Sequence, residues 1–185
     1  MQRSWIIHID TREQAPLPIP THLPFTDLHG NPCTLSITIL RTSLKTRDYC
    51  LDSDIAYECG GTSAQPRCLA VERKLSIDEL TSNVRTPAFT RCLDRLALFD
   101  LPILLLESPT SALTIATSRS PYPPGTLDSL LRLLIPRHIS LWLIPAKSSA
   151  DRIAVGSLLA RALINTALLS PPPSSILPLA PSLGA

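Results

Sequence analysis

Aromatic residues are scarce. Trp, Tyr and Phe together make up 4% of 185 residues, so a core must rest on Leu, Ile, Val and Ala. Glycine is scarce too, 6 against 19 prolines, which excludes a Gly-rich fibre and a collagen-like repeat. No CxxC pair exists among Cys33, Cys50, Cys59, Cys68 and Cys92. That odd count argues against a secreted disulfide framework and a ribbon-type zinc site, leaving reduced, half-buried thiols as the expectation. The apolar run in Met1 to Asp10 is too short for a signal peptide. The run Leu101 to Leu106 is too short to span a bilayer, and Arg161 and Asn165 interrupt the longer stretch Ile153 to Leu169. The chain is therefore expected to be soluble and intracellular, with no membrane partner. A net charge of +2 does not by itself mark a nucleic-acid binder, although a local patch is enough to make one. With 44% hydrophobic and 17% charged residues, the chain has the composition of a folded protein, and its length suits one domain.

Ser4 to Asp10 alternates Trp5, Ile7 and Ile9 with Ile6, His8 and Asp10, predicting a strand buried on both faces. His8 is read as a packed strand residue. Pro16, Pro18, Pro20 and Pro24 make the next stretch extended or looped. Further strands are predicted over Leu35 to Leu40, Asp48 to Leu51 and Leu69 to Lys74, with a long hairpin loop over Asp52 to Arg67. Cys59 and Cys68 would flank that hairpin. Ser76-Ile77-Asp78-Glu79 is a capping box opening a helix to about Val84. Thr86-Pro87 is a second helix start, followed by Phe89, Cys92, Leu93, Leu96 and Phe99 on one face. Pro102 is expected to close that helix before a strand over Ile103 to Leu106. A helix over Leu127 to Leu134, a strand over Ile139 to Ile144 and a long apolar helix from Ser149 to about Leu169 complete the ordered part. These elements predict an α/β fold, a mixed central sheet flanked by helices. Residues 1–169 form the expected domain, and residues 170–185, Pro/Ser/Leu-rich, a disordered tail.

The most informative segment is Val71-Glu72-Arg73-Lys74. On a strand, Glu72 and Lys74 share a face because side chains alternate. A carboxylate beside an ammonium suits metal-assisted phosphodiester hydrolysis: the carboxylate holds a hard cation, and the lysine orients water or neutralises phosphate charge. A single carboxylate holds Mg²⁺ poorly. Asp48, across the hairpin from Glu72, is the natural second ligand, and Asp10 a further candidate. The bland alternative is a surface ion pair.

The order Asp10-Thr11-Arg12-Glu13, Asp48-Tyr49, Glu72-Arg73-Lys74 and Asp78, with Leu106-Glu107-Ser108 beyond, resembles the XPF-type structure-specific nuclease domain of the excision-repair nucleases. That family belongs to the wider restriction-endonuclease-like group. The resemblance runs from Ile6 to about Leu169 and implies a restriction-endonuclease-like fold and a DNA endonuclease using Mg²⁺ or Mn²⁺ on branched, flapped or junction DNA. It implies that Asp48 and Glu72 hold the metal, with the Arg73 carbonyl as a third donor and Asp10 as a possible addition. Lys74 would position water or stabilise the transition state, and Arg73 would brace the site or touch phosphate. Asp78 would fix Arg or Lys geometry, and Arg12 belongs to the first motif. One departure is Arg47, where the family has Gly; it is expected either to distort the loop or to lie along DNA.

Arg41, Lys45, Arg47, Arg85, Arg91 and Arg95 form the expected DNA track. Arginine suits bidentate phosphate contacts, and the chain has only three lysines, Lys45, Lys74 and Lys147. Composition bias is the competing explanation. The helix from Ser149 to Leu169 is apolar on more than one face, and a homodimer or heterodimer through it is expected, as the resemblance also implies. The alternative function, from a different class, is a catalytically silent DNA-binding or scaffolding subunit of a nuclease complex.

Overall fold

The computed structural model describes residues 4–54, 69–109, 125–146 and 148–169. In chain order its elements are β1 (Ser4–Asp10), β2 (His22–Thr26), β3 (Pro32–Thr42), β4 (Tyr49–Leu51), β5 (Leu69–Lys74), α1 (Ile77–Asn83), α2 (Pro87–Leu96), β6 (Leu101–Leu106), α3 (Thr126–Leu134), β7 (Ser140–Leu143) and α4 (Ser149–Leu169). One seven-stranded sheet takes the order β2-β3-β1-β4-β5-β6-β7. It is mixed: β1/β3, β5/β6 and β6/β7 are parallel, and β2/β3, β1/β4 and β4/β5 antiparallel. The mixed α/β architecture expected from the sequence is the one found. Most of the hairpin with Cys59 and Cys68, and the tail from Ser170, lie outside the described residues.

Alternation along the strands builds two cores. Ile7, Ile9, Tyr49, Leu51, Val71, Ile103 and Leu105 face α4, packing with its Val155, Leu159 and Leu163. Ala70, Leu104 and Leu106 face the other way, against α1, α2 and α3 through Leu80, Phe89, Leu93, Leu130 and Leu134. Both helix starts read from sequence are present: Ser76 Oγ accepts from the Glu79 amide at 3.2 Å, and Thr86 Oγ1 from the Phe89 amide at 3.2 Å.

One local expectation is sharpened and one needs correction. The Pro-studded stretch contains a strand, β2, paired antiparallel with β3. β2 is an edge strand, where Pro24 lacks no ladder bond the sheet requires. Pro102 does not close α2, which ends at Leu96; it lies inside β6. There it faces Ala70 of β5, and β7 begins pairing only at Ile103, so the missing amide costs the β7 ladder nothing.

The rest of the Pro-rich stretch is pinned by α4. Leu17 and Ile19 alternate inward between prolines and are buried. Prolines remove donors but keep acceptors, and α4 supplies the donors: Arg152 Nη2 to Ala15 O at 2.7 Å and to Pro16 O at 3.1 Å, and Arg161 Nη2 to Pro24 O at 2.5 Å. Between them Gly156 meets the segment so closely that a Cβ there would stand 2.2 Å from Pro18 O.

α4 is long and apolar enough to cross a membrane by length and composition. In the fold it is a core helix. Its buried residues are Val155, Gly156, Leu159, Ala160, Leu163 and Ile164, while Ile153 and Leu158 are 49% and 45% exposed. The apolar surplus read from the sequence is therefore a short outward patch, and neither Leu159 nor Leu163 is part of it.

Candidate active site

The β5 alternation divides the Glu-Arg-Lys motif between the two faces of the sheet. Glu72 and Lys74 continue the face of Ala70, and Arg73 continues that of Leu69 and Val71. Asp48, immediately before β4, joins Glu72 through backbone geometry. Its amide donates to Val71 O at 2.9 Å, and its Oδ2 accepts from the Arg73 amide at 2.7 Å, so Asp48 brackets the position of Glu72 between its amide and its carboxylate. The strand pairing inferred from sequence is the register found, with Tyr49 opposite Val71.

Asp48 and Glu72 line a cleft of about 450 Å³ with Arg12, Glu13, Lys45, Lys74, Glu79 and Arg95. Burial, reinforced by the neighbouring Glu72 charge, pushes the Asp48 carboxyl up to about 8. Two crowded carboxylates of this kind fit a hard divalent cation: the oxygen donors are right for it, and its charge would relieve the repulsion. Water and main-chain oxygen would have to complete the shell, since the described residues contain no group of three or more His, Cys, Asp or Glu side chains placed to hold a metal.

Lys74 Nζ lies 2.9 Å from Glu72 Oε1 and 3.2 Å from Glu79 Oε1. Burial alone would lower its pKa, but the two carboxylates outweigh burial and raise it above the ordinary lysine value. Lys74 is thus a fixed positive charge and hydrogen-bond donor, not a base. Cys92 of α2 shares the cleft; burial, with Glu72 adding to it, pushes its thiol up to about 12, so it carries no thiolate nucleophile.

Arg73 contributes to the cleft lining, but its side chain lies on the opposite face of β5 from Glu72 and Lys74. Its side chain is 1% exposed, with Nη1 2.9 Å from Glu13 Oε1 and Nη2 2.5 Å from Glu107 Oε1. Of the two roles expected for it, bracing fits and phosphate contact does not. Glu107, 2% exposed, also accepts from Arg152 Nη1 at 2.8 Å. Burial would lower the Arg73 pKa, and the surrounding acids more than reverse it.

Three other expected residues take different positions. Asp10 is fully buried, its carboxylate taken by the Arg12 side chain and by the Arg12 amide at 2.9 Å. Burial would raise its pKa, but these bonds hold it below the ordinary carboxylate value. Asp10 serves Arg12 and is not a free ligand. Arg12, 66% exposed in its side chain, is set at the cleft by that pairing. Asp78 is exposed in the first turn of α1. The carboxylate that fixes Lys74 belongs to Glu79, which also accepts from the Leu75 amide at 2.9 Å. The capping box was the signal for Glu79, read from sequence only as a helix cap.

Arg47 does not belong to the DNA track. It is fully buried, donates to Asp54 O at 2.9 Å and Leu69 O at 3.3 Å, and stacks 4.8 Å from the Phe99 ring centroid. Nor does it distort the loop: His138 is the one non-Gly residue with positive φ among the described residues. Lys45 and Arg95 line the cleft. Arg85 and Arg91 are exposed but do not line it, and Arg41 donates to Thr11 O and Glu13 O, bracing the loop after β1. His8, 5% exposed, is a packed residue held by Thr42 Oγ1 at 2.7 Å and Asp52 Oδ1 at 2.8 Å.

No protein-family model matches the chain, and no curated protein matches it by sequence. Among solved structures, the chain is similar to XPF from Aeropyrum pernix, with a TM-score of 0.52 and 16% identity over 85% of this chain and 64% of that one. It is similar as well to XPF from Aeropyrum pernix in complex with DNA, with a TM-score of 0.52 and 17% identity over 87% of this chain and 66% of that one. The chain has the fold of an XPF-type nuclease, and it spans just under two thirds of the length of those structures.

Proposed function

We propose that this chain is a divalent-metal-dependent DNA endonuclease hydrolysing phosphodiester bonds in branched, flapped or junction DNA. One observation carries the reading: Asp48 and Glu72, distant in sequence, are brought by strand pairing to one cleft, with Lys74 Nζ 2.9 Å from Glu72 Oε1. The fold, shared with an XPF whose DNA complex is known, supports the substrate class.

Asp48 and Glu72 hold the cation in this reading, with the Arg73 carbonyl as a further donor. Bound there, Mg²⁺ or Mn²⁺ supplies a water of lowered pKa and neutralises phosphate charge. Lys74 donates to a phosphoryl oxygen or holds the water in line, and its raised pKa keeps it protonated at neutral pH. Arg12, Lys45 and Arg95 draw the phosphate backbone to the cleft, and the exposed Arg91 of α2 and Arg85 of the turn before it add to the basic surface. A nuclear or cytoplasmic setting follows from the substrate. A homodimer or heterodimer through α4 uses the outward Ile153 and Leu158, so Leu158→Glu is the substitution that should dissociate it in sedimentation.

Incubating purified protein with flap, fork and plain duplex DNA, with and without Mg²⁺ or Mn²⁺, tests the proposal. Metal-dependent cleavage of a branched substrate, abolished by Asp48→Asn, is the expected result. DNA binding without cleavage under every metal condition would make the chain a silent subunit instead.

A further inference from the structure

We propose that Arg152 of α4 is a positioning residue, locking the loop after β1 to the motif strand β5; for what that site does, the proposal rests on the nuclease reading above. Four side chains close a ring on the α4 face of the sheet. Arg152 Nη1 holds Glu107 Oε2 at 2.8 Å, Arg73 holds Glu107 Oε1 from the other side, and Arg73 Nη1 holds Glu13 Oε1 at 2.9 Å. Arg152 Nη2 then returns to the loop bearing Glu13, at Ala15 O and Pro16 O. Two guanidinium and two carboxylate groups balance in charge, which such burial demands.

The ring touches the cleft at two points. Glu13, Gln14 and Ala15 form part of its wall, and the Arg73 amide holds the Asp48 carboxylate. Arg152, which does not line the cleft, is thus tied to two of its walls through Glu107, Arg73 and Glu13. Gly156, one turn further along α4, touches Pro18 of the same loop, so helix and loop seat as one body. The fork geometry of arginine is essential to this arrangement, because one guanidinium reaches Glu107 with one nitrogen and two carbonyls with another. A lysine ammonium keeps the charge but not the fork.

The test compares the full chain with Arg152→Lys and Arg152→Gln, reading kcat, KM for a branched DNA, melting temperature and amide exchange. The informative amides are Ala15, which donates to Glu13 Oε1 at 3.2 Å, and Leu17, which donates to the Tyr49 hydroxyl at 2.9 Å. In both variants kcat is expected to fall by roughly tenfold to a hundredfold, the effect typical of removing a supporting partner, with KM little changed. Exchange at Ala15 and Leu17 is expected to accelerate in both. Folded Arg152→Gln protein with wild-type kcat overturns the proposal whatever its melting temperature, since the ring is then only structural. If the unmodified chain cleaves no DNA, the nuclease reading fails by itself. Exchange then decides the coupling: acceleration at both amides supports it, and wild-type exchange overturns it.

Discussion

The two faces of β5 hold the same chemistry in opposite states of completion. On the α4 side, Arg73, Glu13, Glu107 and Arg152 pair with one another, and every charge has an opposite charge within 3 Å. On the α1 and α2 side, Asp48 and Glu72 crowd each other, with Lys74 shared between Glu72 and Glu79. A closed network of this kind fixes geometry. A buried Asp48 that keeps its proton to about 8 beside Glu72 is set for an additional positive charge. The strand therefore supplies a scaffold face and a working face from three consecutive residues.

The contrast is broken most completely by substitutions that separate activity from stability. Asp48→Asn or Glu72→Gln should abolish cleavage without lowering the melting temperature. Both replacements are nearly isosteric, and in Asp48→Asn the side-chain carbonyl can still accept from the Arg73 amide. Glu107→Ala should do the reverse in denaturant titration, costing about 3–5 kcal/mol of stability by leaving the buried Arg73 with Glu13 alone and the half-buried Arg152 without its carboxylate. Comparable destabilisation by Glu72→Gln would erase the distinction between the faces.

Lys74→Ala should lower kcat by about 10²–10³-fold, the size expected for one preorganised donor. Gly156→Ala should cost about 1–3 kcal/mol in thermal unfolding, because its Cβ would collide with the Pro18 carbonyl. The remaining effect is a pH dependence. Unfolded Asp48 loses its proton near 3.8, whereas the folded carboxyl keeps it to about 8. The Asp48 contribution to metal-free stability is therefore greatest below pH 4 and is lost progressively as pH rises toward about 8. The stability difference between the parent chain and Asp48→Asn, followed by urea unfolding across that range, should show this slope.

Where an element is set by neighbours in the chain, the sequence reading is close. The bounds of β1, β5 and α4 and the caps at Ser76 and Thr86 all rest on local periodicity or on a side chain reaching three residues ahead. Asp48 beside Glu72 is also legible, because a hairpin register brings the two together. What escapes depends on contacts that no local pattern encodes. β2 is hidden by Pro24, which only a sheet edge tolerates. Arg47 looks like a surface cation until Asp54, Leu69 and Phe99 enclose it. Arg152 reaches Ala15 across 137 positions, and the Arg73 side chain turns from the site because Val71 on the same face is core.

The central claim, that the Asp48 and Glu72 face takes up a divalent cation, is tested most directly by titrating Mn²⁺ into the metal-free chain and into Glu72→Gln by calorimetry across pH 6 to 9. The account predicts one bound ion in the parent chain. Its affinity should rise about tenfold per pH unit and level off near pH 8, as the Asp48 proton no longer has to be displaced, and binding should be lost in the variant. Equal Mn²⁺ binding by both proteins, or binding by neither at any pH, would contradict it.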